Sequence, residues 1–113
     1  MEVWLAHRSL PTLPVRVSRQ CATAQRLAEL LASRSDINAV HYPGLPNHPG
    51  HAVAKRQMQV FGTVVSFELG TRRRAEAFLG ALTLVREATS FGGVHSIAER
   101  RARYALTSLF SGG

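Results

Sequence analysis

At 113 residues, the chain has room for one hydrophobic core and not for two, so the sequence predicts a single domain over residues 1–113. Its apolar fraction of 45% is ordinary for a globular protein, and no run approaches the roughly 18 apolar residues of a helical membrane span. Fourteen Lys and Arg against seven Asp and Glu give a net charge of +7, which raises nucleic acid as a partner class.

The arrangement of that charge argues against nucleic acid. Arg72-Arg73-Arg74 and Arg100-Arg101 are short clusters and the other cations are scattered. There are no interleaved aromatics to stack bases and no zinc or recognition-helix pattern. One cysteine, Cys21, cannot form an internal disulfide, and Met1-Glu2-Val3-Trp4 lacks the basic-then-apolar plan of a secretory signal. A cytoplasmic setting is the expectation.

In chain order, residues 3–8 read as a short turn, closed by a segment with prolines at 11 and 14. Pro14 suits the first turn of a helix. From there to about Ser33 the spacing is helical, with Leu13, Val17, Cys21, Ala24, Leu27, Ala28 and Leu31 on one stripe. Residues 37–42 read as a short strand. YPGLPNHPG, residues 42–50, holds three prolines and two glycines and must be a loop. Residues 51–58 suit a short helix.

FGTVVSFEL, residues 61–69, is the clearest strand, because Val65, Phe67 and Leu69 alternate with Val64, Ser66 and Glu68. Thr71 is placed to cap a helix from Arg72 to about Thr83 that buries Ala75, Phe78, Leu79 and Leu82. A third strand over 84–88, a two-glycine turn and a last helix over 97–109 complete the reading. The order predicts an α/β (α+β) domain: a small, mostly antiparallel sheet of three or four strands with helices packed on one face.

Pattern alone assembles no catalytic constellation. His48 and His51 form H-P-G-H, but no second ligand pair follows, so a helix start explains them better than zinc. Cys21 lies on the apolar stripe and reads as a core residue rather than a nucleophile. SFGGVH, residues 90–95, matches neither glycine-rich phosphate-loop pattern.

Four blocks together resemble one family. WLAHRSLPTLPVRVSRQ (4–20) is similar to W-L-x-x-R-G-L-K-T-L-x-x-R-M-x-R-H, and YPGLPNHPGHAVAKRQM (42–58) to Y-P-G-L-x-S-H-P-x-H-x-x-A-x-x-Q-M. FGTVVSFEL (61–69) is similar to G-F-G-x-x-x-S-F-E-L, and ATSFGGVHS (88–96) to A-x-S-L-G-G-x-E-S. In this order and spacing they resemble the pyridoxal-phosphate enzymes of cysteine and methionine metabolism, such as cystathionine γ-lyase, cystathionine γ-synthase, methionine γ-lyase and O-acetylhomoserine sulfhydrylase.

The resemblance implies the small C-terminal domain of a longer, oligomeric enzyme that eliminates or replaces groups on sulfur amino acids. Pyridoxal phosphate would act there as the electron sink. The cofactor lysine, in an S-x-T-K context, would belong to a large domain that this sequence lacks. Lys55, the one lysine present, matches the A-K-x-Q-M helix instead. No catalytic residue, cofactor ligand or metal ligand is therefore assigned within the chain. Its partners would be the large domain, in cis or in trans, and a sulfur amino-acid substrate. Inactivity of the isolated chain is the expectation.

By the same resemblance, Ser90 lies near the substrate carboxylate and Thr89 near the substrate side chain, with Gly92 and Gly93 letting the backbone approach a ligand. Ser9, Pro11, Thr23, Phe91 and His95 depart from the family's pattern. The family's H-P-A-x-x-T-H and its carboxylate-binding R-L-S-V-G are not recognisable after Ser96. Such departures keep open a repurposed interaction or self-association module, with nucleic-acid binding as a weaker alternative.

Overall fold

The computed structural model describes residues 1–101. The chain divides into two compact units, the first Met1–Glu68 and the second beginning at Leu69. It is a mixed α/β protein whose sheets are small: β1 (Ala39–His41) with β2 (Ser66–Glu68), and β3 (Arg86–Glu87) with β4 (Ile97–Ala98). The sequence led us to expect one sheet of three or four strands; among the described residues there are two separate pairs instead.

The first unit opens with helix α1 (Glu2–Ser9), a 3-10 turn (Leu10–Thr12) and the long helix α2 (Leu13–Ala32). Residues 3–8 are thus helical, not a turn. Pro11 and Pro14 each fall at the first or second position of a helical segment, where no amide hydrogen is required. Ser9, Leu10, Thr12 and Leu13 all keep right-handed helical angles, so the prolines start segments rather than stop them. Glu2 in the first turn of α1 and His7 and Arg8 in its last complement the helix dipole.

On α2 the stripe Cys21, Ala24, Ala28 and Leu31 is buried, Val17 is half-buried, and Leu13 and Leu27 stay exposed. Ala24 and Ala28 pack in one cluster with Tyr42 and Leu45, and Val40, Phe61 and Val65 lean on it. The two alanines leave room for the wholly buried Tyr42. Strands β1 and β2 are antiparallel, with Val40 opposite Phe67. The expected alternation holds: Val65, Phe67 and Leu69 are half-buried and Val64, Ser66 and Glu68 exposed. Pairing stops early because Tyr42 leads at once into Pro43 and a run of turns. Helix α3 (His51–Gln57) closes this loop and buries Ala54.

In the second unit, helix α4 (Arg72–Ala81) starts where Thr71 accepts a hydrogen bond from the Arg74 amide at 3.3 Å. Its apolar face, Ala75, Phe78 and Leu79, is half-buried. Residues 97–98, expected to open the last helix, form β4 and pair in parallel with β3. The β-branched Ile97 extends there, and its register against Arg86 fixes the chain in a strand. Residues 99–101 are not in an α-helix either, and the expected helix beyond them, with the C-terminal tail, lies outside the described residues.

Candidate functional site

The sequence-predicted residues Thr89, Ser90, Gly92 and Gly93 all lie on the connection between β3 and β4, residues 88–96. A parallel pair ordinarily takes a crossover of a dozen or more residues. Strands of two residues each allow a shorter one. The neck of the loop is fastened by the Arg86 amide donating to the Ser96 carbonyl at 3.0 Å and the Ala88 amide donating to the Ala98 carbonyl at 3.2 Å. Thr89 to Ser96 are all exposed.

Within the loop, Ser90 has φ of 128° and Gly92 φ of 80°. The second is natural for glycine. The first is a conformation that a side-chain-bearing residue holds only at a cost of about 1–3 kcal/mol, and such strain concentrates at ligand sites. Among the described residues, Ser90 is the one non-glycine at positive φ. Nothing lies within 4 Å of a Cβ built on Gly92 or Gly93, so the space beside this turn is open. Among the described residues, none of the chain's own atoms uses the expected allowance for close approach. The strain at Ser90 could not be read from sequence; the flanking Gly-Gly was the signal that the chain turns sharply here.

The second unit is braced by charge. Arg72 Nε donates to Glu76 Oε1 at 2.8 Å, Arg100 Nε lies 3.7 Å from the same oxygen, and Arg101 Nη1 donates to Glu99 at 3.3 Å. Arg100 lies two residues beyond the end of β4 and its side chain is largely buried, so the pair with Glu76 links the base of the loop to α4.

The first unit holds a second feature that sequence reasoning missed. A shallow groove of about 310 Å³ runs beside α2, lined among others by Ser18, Cys21, Gln25, Tyr42 and Phe61. Of the Pro-Gly loop, Tyr42 lines it. Tyr42 donates its hydroxyl to the Gly62 carbonyl at 3.0 Å, His51 Nδ1–H donates to the Pro43 carbonyl at 2.8 Å, and the Gly50 amide donates to His48 Nδ1 at 3.0 Å. Both histidines of the H-P-G-H motif thus shape the loop and the start of α3. No cluster of three His, Cys, Asp or Glu able to hold a metal occurs among the described residues.

Pyridoxal phosphate needs an amine in a recess that also holds its ring and phosphate. Lys55 lies exposed on α3 and does not line the groove beside α2. The described residues therefore do not fit the cofactor.

Comparison with known proteins places the chain. Residues 1–110 match the family described as Cys/Met metabolism PLP-dependent enzyme, and the chain belongs to that family. It is 58% identical over 104 residues to a Streptomyces coelicolor protein assigned as a cystathionine gamma-lyase, a match covering 92% of this chain and 26% of that protein. The crystal structure of metB from Corynebacterium glutamicum superposes with a TM-score of 0.84 at 42% identity, over 92% of this chain and 27% of that one. Cystathionine gamma synthase from Xanthomonas oryzae pv. oryzae, solved in complex with aminoacrylate and cysteine, gives 0.80 at 41% identity, over 84% and 25%. The chain spans about a quarter of the length of the relatives it matches.

Proposed function

We propose that this chain is the C-terminal, substrate-recognising part of a pyridoxal-phosphate-dependent transsulfuration enzyme, which eliminates or replaces groups at the side chain of a sulfur amino acid. The observation that carries the reading is the strained, exposed Ser90 beside Gly92 on a loop closed at its neck, in a chain of this family. A relative 41% identical has been solved with aminoacrylate and cysteine, which supports a sulfur amino acid as the substrate class.

In this reading the chain contributes recognition. The Ser90 hydroxyl and the bare backbone at Gly92 offer hydrogen bonds to the substrate's α-carboxylate, and Thr89 stands near its side chain. A pre-strained turn is already in its binding conformation, so little ordering remains when the substrate arrives. The cofactor and its lysine belong to a large domain that meets this chain in cis or in trans.

Two measurements test the reading. The purified chain mixed with pyridoxal phosphate should develop no lysine-bound cofactor absorbance and should not cleave cystathionine; a yellow, cystathionine-cleaving preparation overturns it. The chain exchanged for the matching segment of the Streptomyces coelicolor relative should give a chimera that binds the cofactor and processes a sulfur amino acid.

A further inference from the structure

We infer that Arg100 is a positioning residue: through its ion pair with Glu76 it holds the end of β4 so that Ser90 keeps the conformation in which it meets substrate. The inference deepens the reading above and rests on it. Backbone strain at a residue bearing a side chain persists only where the surroundings over-determine it. Ser90, with φ of 128°, sits on a loop between two strands of two residues each. The neck bonds from Arg86 and Ala88 set the register of that ladder. A ladder so short is weak on its own, so the turn needs an anchor beyond it.

Arg100, two residues past β4, is that anchor. Its side chain is 17% exposed, and its Nε lies 3.7 Å from Glu76 Oε1. Glu76 is itself a fixed post, because Arg72, one turn earlier on α4, donates to the same oxygen at 2.8 Å. The neighbouring Arg101 is a contrast: it pairs with Glu99 while 81% exposed, where such pairs contribute little.

Stability does not explain the burial of Arg100. At 3.7 Å its contact with Glu76 is ionic and not a hydrogen bond, and Arg100 Nε is buried with no hydrogen-bond acceptor among the described residues. A largely buried guanidinium paired in this way gains little over an apolar side chain of the same bulk, but it commits the elements it joins to one arrangement. Here those elements are α4 and the strand on which the recognition loop ends. Arg100 therefore acts through the main chain of β4 and needs no contact with the substrate.

The test uses Arg100→Met, which keeps the bulk and removes the charge. In the chimera described above it should raise KM about tenfold and change kcat by less than about twofold, the mark of lost binding rather than lost chemistry. Arg100→Lys should return KM to within about twofold of the parent, since an ionic contact does not need the planar guanidinium. In the 113-residue chain, Ser90→Gly should raise the thermal midpoint by about 4 °C. On the Arg100→Met background it should leave the midpoint unchanged, because the strain is already released. An unchanged KM overturns the inference, as does failure of the lysine to restore it, or a Ser90→Gly gain equal in both backgrounds. If Arg100→Met does not fold, Glu76→Gln takes its place, with the same rise in KM and the same lost gain expected and the same results against it. A chimera that binds no cofactor, or that keeps full activity as Ser90→Ala, strikes the proposed function instead; the melting comparison then still decides the role of Arg100.

Discussion

Tyr42, whose ring is wholly buried, donates its hydroxyl to the Gly62 carbonyl at 3.0 Å. The bond ties the first turn of the Pro-Gly loop to the residues leading into β2, across the cluster that α2 packs upon. Burial first, and then the nearby Cys21 and Glu29, push the Tyr42 hydroxyl above its ordinary value.

Tyr42→Phe should therefore cost about 1 kcal/mol at neutral pH, through the lost bond and the unpaired carbonyl. The pH dependence has a definite sign. The folded state holds this proton more tightly than the unfolded chain, so the contribution is complete below about pH 10, the unfolded value, and is lost as pH rises through the raised folded value. Urea titrations of both proteins from about pH 8 upward should show the gap narrowing on the alkaline side. A gap that stays constant would refute the linkage.

Two glycines should respond oppositely to alanine. A Cβ on Gly44 would meet Gln25 Oε1, and would come within 2.6 Å of Tyr42 Cε1. The Tyr42 ring cannot retreat, so Gly44→Ala should cost about 1–3 kcal/mol. Gly80 lies near the end of α4 with nothing within 4 Å of its built Cβ. Gly80→Ala should gain up to about 1 kcal/mol in helix propensity. Denaturant midpoints of the two variants check both signs.

Thr71→Ala removes the oxygen that receives the Arg74 amide at 3.3 Å. A loss of about 1 kcal/mol is expected, centred on α4. Hydrogen exchange should quicken for the amides of its first turn while those of α2 keep their protection.

Ser90 separates strain from function. Ser90→Gly should stabilise the isolated chain by about 1 kcal/mol, because glycine accepts a φ of 128° without penalty. Ser90→Ala keeps the strain and should be near neutral. In the chimera both variants lose the hydroxyl, and both should lower kcat/KM by about tenfold or more. Full activity in either would remove Ser90 from the recognition of substrate.

Sequence showed the elements whose periodicity is set locally. The stripe of α2, the alternation from Val64 to Leu69 and the Thr71 cap all stand where the spacing put them. It misjudged places where a longer-range partner decides. Ile97-Ala98 sits inside a helix-compatible run, yet pairing with Arg86-Glu87 makes it a strand. Residues 3–8 read as a turn, yet they lie in α1, and Pro11 falls where a short helical segment tolerates proline, as Pro14 was expected to do at the start of α2. The turn at 89–93 was legible from its two glycines, but a ligand role for it only through resemblance to a family, since exposed hydroxyls and glycines carry no periodic signal. The twist at Ser90 is a backbone property that composition does not encode.

The stapled neck of residues 88–96 has an evolutionary side. Because Arg86 and Ala88 bind main-chain atoms of Ser96 and Ala98, no side chain inside the loop is required to keep the two strands together. Mutations at Phe91, Val94 or His95 can accumulate without disturbing the scaffold beneath. A lineage changing its preferred amino acid could begin there, at small structural risk.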